Sequence, residues 1–390
     1  MKVLILTAKY GMGHMSASKS ISDDILKYNS AAEISVVDLY QYSMPVLSDY
    51  LYSFFGTMLK YSRKTYIKYY NSSDKSTENI DLITRKLSYS VERLVMEENP
   101  DVLISTFPII SKSVSLYKER MSVDIPLVTC ITDVSSHYEW ISKNTDKYIV
   151  PCIDVKYDLI KKGVNPDRIV VYGIPISKKF RESFTQQAFS ELHSNLVNIS
   201  KYNRKKELLI MGGGLGILPK TQDFYRKLNS TEGLHVTIVT GNNRKMYDSL
   251  KDRYENITVL GYSENVSELM YKADCVVTKP GGITLFESIY SLTPIISFMT
   301  ELPNELRNID FIEDNNFGIS LHSKAEENVD RIIKFINDSS KIEGMKMSMK
   351  KFVNSLESDY FDNYLQDINE LNEIYGNEKY AYKIGKIAQK

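Results

Sequence analysis

The sequence predicts an α/β protein built from two Rossmann-like halves, each a parallel sheet with helices on both faces. Three observations predict it. Short apolar runs alternate along the chain with segments whose apolar residues recur at helical spacing, which is how buried parallel strands and their crossover helices read. Twice such a run feeds through glycines toward a helix-like segment: 3–7 into Gly11-Met12-Gly13, and 208–211 into Gly212-Gly213-Gly214-Leu215-Gly216. Between the two the pattern halts in a polar, charged stretch and then restarts. Domains are therefore expected at 1–176 and 207–345, joined by a linker at 177–206, with 346–390 a helical segment returning to the first domain.

A length of 390 residues suits two domains, and 43% hydrophobic with 25% charged residues is enough for two cores. A formal net charge of zero argues against a nucleic-acid binder. Cys130, Cys152 and Cys275 lie far apart in apolar runs, so neither a zinc site nor a disulfide scaffold is expected, and a reducing cytosol is. The apolar run at 2–6 is too short for a signal peptide. No stretch reaches the roughly eighteen apolar residues of a membrane span.

Residues 3–7 read as the first strand, followed by the turn Tyr10-Gly11-Met12-Gly13-His14 and helical periodicity through Ile21, Ile25 and Leu26. This opens a βαβ unit, but Ser16 stands where a dinucleotide fingerprint has its third glycine. His14 falls at the C-terminal edge of the sheet, where open α/β folds take ligands; a histidine at a helix start also serves as a cap or a solvated residue. Residues 36–39 give a second strand. Over 45–70 the chain interleaves Tyr50, Tyr52, Phe54, Phe55, Tyr61, Tyr66, Tyr69 and Tyr70 with Lys60, Arg63, Lys64 and Lys68. That composition suits a headgroup-level membrane contact, or a helix packed on its own domain with a solvated basic face. A helix at 80–97 and strands at 100–106, 125–132, 147–150 and 169–172 follow. The strand at 125–132 ends beside Asp133, His137 and Trp140, the single tryptophan. After the linker, strands are expected at 208–211, 236–239, 257–262, 275–278 and 294–298, and helix from 329 onward.

The second half is organised around Lys279-Pro280-Gly281-Gly282-Ile283-Thr284-Leu285-Phe286-Glu287. A strand entering a helix through two glycines leaves N–H groups aimed outward at the positive end of the macrodipole, a seat for a phosphate. Glu287 is placed to accept hydrogen bonds from ribose hydroxyls. A glycine pair alone would also serve a tight turn; the glutamate at this offset and the other Gly-rich turn favour the phosphate.

Taken together, these motifs resemble the GT-B glycosyltransferases, and among them the family of monogalactosyl- and processive glucosyl-diacylglycerol synthases, relatives of the bacterial peptidoglycan glycosyltransferase that acts on lipid I. Tyr10 to His14 is similar to the family's Tyr-Gly-x-Gly-His, and Thr132-Asp133 with His137 and Trp140 to its Thr-Asp…His…Trp block. Gly173-Ile174-Pro175 resembles the end of its first domain. The segments 211–216, 241–243 and 278–287 resemble its nucleotide-sugar half. The resemblance covers most of 1–311. One departure stands out: where the family shows Pro-Gly-Gln-Glu…Asn, this chain reads Pro303-Asn304-Glu305 with Asn308, so Asn304 replaces the glutamine.

The resemblance implies two domains facing each other across a cleft. It also implies inverting transfer of a hexose, glucose ahead of galactose, from a UDP-sugar to diacylglycerol or a glycosyl-diacylglycerol. His14 is the expected base, since its unperturbed pKa suits neutral pH, and Asp133 would orient the acceptor or the imidazole. Gly13, His137 and Trp140 are expected at the acceptor. The donor set is Gly212, Gly213, Gly214, Asn243, Tyr262, Gly281, Gly282, Thr284, Glu287, Asn304 and Glu305. Backbone amides would stabilise the departing UDP, with no metal or other cofactor, because nothing resembles a metal-holding Asp-x-Asp. Expected partners are a UDP-hexose, a lipid acceptor and an anionic membrane surface met by residues 50–70; no nucleic acid is expected. The protein would be cytoplasmic, peripheral on the inner face of the cell membrane. A UDP-sugar epimerase and a non-catalytic UDP-sugar sensor would share the architecture.

Overall fold

The computed structural model describes residues 1–73, 81–193, 204–213, 216–321, 327–357 and 363–366. The chain divides into two compact units, Met1–Pro175 with Leu356–Lys390, and Ile176–Ser355.

In the first unit the order is β1 (Lys2–Thr7), α1 (Met12–Tyr28), β2 (Glu33–Asp38), α2 (Leu39–Ser43), α3 (Pro45–Tyr61), α4 (Arg63–Ser73), α5 (Leu82–Glu98), β3 (Val102–Ser105), α6 (Pro108–Met121), β4 (Leu127–Cys130), β5 (Lys147–Val150), α7 (Ile153–Lys161) and β6 (Ile169–Val171). The strands form one parallel sheet ordered β2-β1-β3-β4-β5-β6. Alternation along β1 builds a core on each face: Val3 and Ile5 join Ile21, Ile25 and Val128 on one side, while Leu4 and Leu6 join Leu39, Leu87 and Val114 on the other.

The second unit runs α8 (Lys178–His193), β7 (Lys206–Met211), α9 (Gln222–Asn229), β8 (Leu234–Val239), α10 (Arg244–Leu250), β9 (Ile257–Leu260), α11 (Val266–Lys272), β10 (Cys275–Thr278), α12 (Gly282–Tyr290), β11 (Ile295–Ser297), α13 (Pro303–Asp314), β12 (Gly318–Ser320), α14 (Val329–Asn337) and α15 (Ser339–Val353). Its parallel sheet is ordered β12-β11-β10-β7-β8-β9. In each sheet the order reverses once, beside β1 and β3 in the first and beside β7 and β10 in the second. Crevices at such switch points, beyond the carboxyl ends of the strands, are where open α/β sheets hold ligands. The first switch point is flanked by Gly11–His14, and the second by the 212–216 loop and by Lys279–Gly282.

Of the segment expected as a linker, 177–206, residues 178–193 form the helix α8, which groups with the second unit, and 194–203 lie outside the described residues. Phe180 is buried and Phe184 meets Tyr290 at 5.9 Å; two aromatics one turn apart among polar residues gave too faint a periodicity to read. The expected boundary at 346 falls inside α15, which stays in the second unit up to Ser355. After it, Glu357 N–H donates to Val171 O at 2.9 Å and Leu365 enters the first unit's core. The strand β12 was not expected. It is three residues long and starts on Gly318, where an added Cβ would lie 2.0 Å from Ile295 O, so its defining residue carries no strand propensity.

Candidate active site

His14 is the third residue of α1, which starts on Gly11 at φ +87° with no side-chain cap. That φ lies in the left-handed region open to glycine, and it turns the chain sharply from β1 into the helix. The imidazole lands against the end of β3. Its Nδ1 lies 2.9 Å from Thr106 O and 2.9 Å from Thr132 Oγ1. A carbonyl only accepts, so Nδ1 carries the proton and the neutral ring keeps its lone pair on Nε2. Among the described residues none bonds Nε2. Thr106 is itself fixed, its hydroxyl donating to Thr7 Oγ1 at 2.8 Å and meeting Ser18 Oγ at 3.0 Å. Phe107 sets its edge against the ring at 4.9 Å. Burial pulls the imidazole down to about 4, against the opposing pull of the Thr106 carbonyl. Gly13 adjoins His14 in the same turn, and Asp133 follows Thr132, half-buried.

His137 and Trp140 turn out to be built into the scaffold. Trp140 is 4% exposed and His137 2%. Nδ1 of His137 accepts from Glu139 N–H at 3.1 Å, so Nε2 is the donor, to Tyr70 O at 2.9 Å. Both ring nitrogens of His137 are thus engaged within the chain. His137 ends an aromatic chain: Tyr10 packs on Phe55, Phe55 on Tyr66, Tyr66 on Tyr70, and Tyr70 on His137 at 4.2 Å. Tyr10 also stacks on Phe107 and meets Tyr40 and Tyr52, the last donating to Asp38 at 2.6 Å. Half of the aromatic stretch in 45–70 therefore seals α3 and α4 over the sheet's C-terminal edge; the side chains of Tyr61 and Tyr69 lie outside the described residues.

In the second unit, Gly214 lies outside the described residues. Around it, Gly216 N–H donates to Gly213 O and Ile217 N–H to Gly212 O, closing a tight loop. A Cβ on Gly216, at φ +59°, would meet Thr240 O at 2.1 Å. Asn243 spans this loop and the next helix: Nδ2 donates to Gly216 O at 2.8 Å, and Oδ1 caps α10 by accepting from Met246 N–H. It thereby links the loop to the first turn of α10. Tyr262 is 66% exposed at the end of β9, lining a shallow depression with Gly241, Asn242, Arg244 and Tyr247.

Gly281 is the N-cap of α12 and Gly282 its first residue, with no side-chain cap on the free N–H groups. Space for an added Cβ at Gly281 is open, so the helix start faces an unfilled volume. Thr284 follows, half-buried. Glu287 sits in the second turn, where burial pushes its carboxyl up to about 8, and no described residue bonds it. From α13, Glu305 is 4% exposed, its Oε1 on Lys279 Nζ and its Oε2 accepting from Thr300. Asn308 donates to Pro280 O at 2.8 Å. Asn304 Oδ1 is buried without a hydrogen-bond partner. Thr106, Phe107, Thr278 and Lys279 were given no role from sequence, yet the first two end the strand beside β1, where the switch-point rule points.

The description of the monogalactosyldiacylglycerol (MGDG) synthase family matches residues 14–176. A processive diacylglycerol beta-glucosyltransferase of Bacillus licheniformis is 31% identical over 383 residues, 97% of each chain. The chain belongs to this family of glycosyltransferases. The enzyme is similarly related to proteins of the same description in Bacillus subtilis (30% over 358 residues, 90% of each chain) and Staphylococcus haemolyticus (28% over 390 residues, 96% of each). Among solved structures it resembles Acinetobacter baumannii MurG, with a TM-score of 0.62 at 12% identity over 94% of this chain and 99% of that one. It resembles equally the UDP-GlcNAc 2-epimerase of Neisseria meningitidis bound to UDP-GlcNAc, at 0.61 and 15% over 94% and 100%. These identities establish the shared GT-B-type α/β fold alone. An epimerase and a transferase both carry it, so membership of the sequence family decides against the epimerase and sensor readings.

Proposed function

We propose that the enzyme moves glucose from UDP-glucose to a hydroxyl of diacylglycerol or of a glycosylated diacylglycerol, with inversion at the anomeric carbon. The nucleotide-sugar donor and the lipid acceptor follow from the family; the hexose follows from the relatives' names. One observation carries the mechanism: with Nδ1 of His14 committed to Thr106 and Thr132, the ring presents Nε2 as a base. The acceptor oxygen bonds the anomeric carbon as its proton passes to Nε2, and the anomeric bond to UDP breaks with its electron pair going to the β-phosphate oxygen. A single displacement inverts. The N–H groups at the start of α12 and in the 212–216 loop meet the charge that develops on UDP. Glu287 takes the ribose hydroxyls, and Asn304 Oδ1 a sugar hydroxyl. Incubation with labelled UDP-glucose and UDP-galactose plus diacylglycerol, followed by lipid separation, is expected to place glucose in the lipid fraction. Label from neither donor in any lipid would overturn the reading.

The lipid is met at a bilayer surface. No helix among the described residues is long and apolar enough to cross a membrane. On α3, however, Val46, Leu47, Tyr50 and Phe54 share one face and are 78, 49, 71 and 68% exposed, and Lys64 and Lys68 are exposed on α4. An apolar stripe beside lysines suits the anionic headgroups of a cytoplasmic leaflet. The enzyme is expected to pellet with phosphatidylglycerol vesicles, and Val46→Asp with Phe54→Asp to stay in the supernatant.

A further inference from the structure

The mechanism above leaves unused an ion pair at the turn into α12. Lys279 directly follows β10, and its Nζ lies 2.5 Å from Glu305 Oε1, with the lysine side chain 41% exposed and the glutamate 5%. The other carboxylate oxygen accepts from Thr300 Oγ1. Through Asn308 and Pro280, α13 also grips the next peptide, so both the charge and the backbone of this turn are held at the threshold of α12. Two buried polar atoms adjoin the pair in sequence and have no hydrogen-bond partner among the described residues: Thr278 Oγ1, on a residue 2% exposed just before Lys279, and Asn304 Oδ1, just before Glu305. Buried groups of this kind are nearly always satisfied in native proteins. An anion only accepts, so Thr278 Oγ1 is the one of the two that a phosphate satisfies, while Asn304 Oδ1 is left to a sugar hydroxyl. The anion seat is marked by the ion pair two residues before the uncapped N-cap of α12.

We propose that Lys279 is the cation that neutralises the departing diphosphate, stored on Glu305 while the site is empty and turned to the phosphates when a nucleoside diphosphate arrives. The inference rests on the reading of the Gly281–Gly282 helix start as the diphosphate seat. The ammonium keeps its proton throughout: the electron pair of the broken anomeric bond goes to the β-phosphate oxygen, the acceptor's proton goes to His14, and Lys279 supplies charge alone. A flexible full charge adds to what the fixed amides provide, since phosphate held by an ionised donor is bound more strongly than by a neutral one.

Calorimetry on the full chain with UDP, UMP and uridine tests this. Lys279→Met is expected to weaken UDP about 10- to 100-fold, a range typical of one hydrogen bond to a charged group, with uridine changed less than about twofold and Lys279→Arg restoring most of the loss. Glu305→Gln is expected to tighten UDP severalfold, because the lysine no longer has a competing anion; UDP carries no sugar, so a lost sugar contact does not enter. Equal weakening of UDP and uridine in Lys279→Met would make the residue a mere support, and wild-type affinity for UDP in that variant would overturn the proposal outright. Weaker UDP binding in Glu305→Gln would overturn the storage role. If the wild-type enzyme itself binds uridine but gains nothing from the added phosphates, the diphosphate seat fails before any variant is made.

Discussion

The β1–α1 turn of the first unit and the β10–α12 turn of the second each leave a parallel strand beside a switch point and enter a helix on a glycine cap with no side-chain cap bond. They differ in what they bury. The first buries a base: His14, pulled down to about 4, held neutral with one ring nitrogen tied to Thr106 and Thr132. The second holds a half-buried acid: Glu287, pushed up to about 8 by desolvation, with no hydrogen-bond partner among the described residues. One cause, desolvation of the charged form, moves the two pKa values in opposite directions and leaves both groups uncharged near pH 7. In the proposed mechanism the first turn takes a proton and the second gives one up when a diol arrives. The same local architecture yields two chemistries because a single side chain per turn decides them.

The largest effect expected from breaking this contrast is at the base. His14→Ala should lower kcat by about a thousandfold, within the usual range for general-base catalysis, while UDP affinity by calorimetry stays unchanged. Equal loss of both would sink the base role. At saturating donor the wild-type kcat is expected to hold as pH falls to about 5, where an unshifted imidazole near 6.5 would already be mostly protonated.

At the acid, Glu287→Gln should weaken UDP about 10- to 100-fold, as for one charged hydrogen-bonding partner. The sign of the pH effect follows from its raised pKa: below about 8 the free carboxyl is protonated, and receiving two ribose hydroxyls as a carboxylate releases that proton. UDP affinity of the wild type should therefore rise with pH up to about 8 and then level, with buffer-dependent binding heat; the variant should show a flat profile.

A smaller effect is expected at Thr132→Val, which removes one of the two partners of Nδ1. A loss of about two- to tenfold in kcat, the worth of one neutral hydrogen bond, with unchanged UDP affinity would mark it as a positioning residue for the ring. The glycine comparison within the second unit is read in stability, not in rate. Gly216→Ala, with φ +59° and a clash at Thr240 O, should destabilise folding by about 2 kcal/mol or more. Gly281→Ala, with φ −82° and open space for its Cβ, should leave the denaturation midpoint nearly unmoved and affect only UDP binding.

Reading the chain in one dimension reached the turns more readily than the supports. Tyr10 to His14 and Lys279 to Glu287 were legible because a glycine turn between a β run and a helical run is a local pattern. Thr106 was passed over because its relation to His14 spans 92 residues, a pairing no window of sequence contains. For His137, Asn243 and Glu305 the sequence does not show that the fold supplies partners of its own, from Tyr70, Gly216 and Lys279. In the aromatic stretch, composition alone left inward Tyr52, Phe55 and Tyr66 indistinguishable from outward Tyr50 and Phe54.

By itself the sequence determined two parallel-sheet halves, the glycine turns and the family, because hydrophobic period, strand length and backbone freedom at glycine are properties of neighbouring residues. Which side of His14 keeps its lone pair, which carboxyl loses its charge and which cation is held in reserve were decided only in three dimensions. Each of those depends on desolvation and on partners brought from distant strands, and neither exists until the sheet has closed around them.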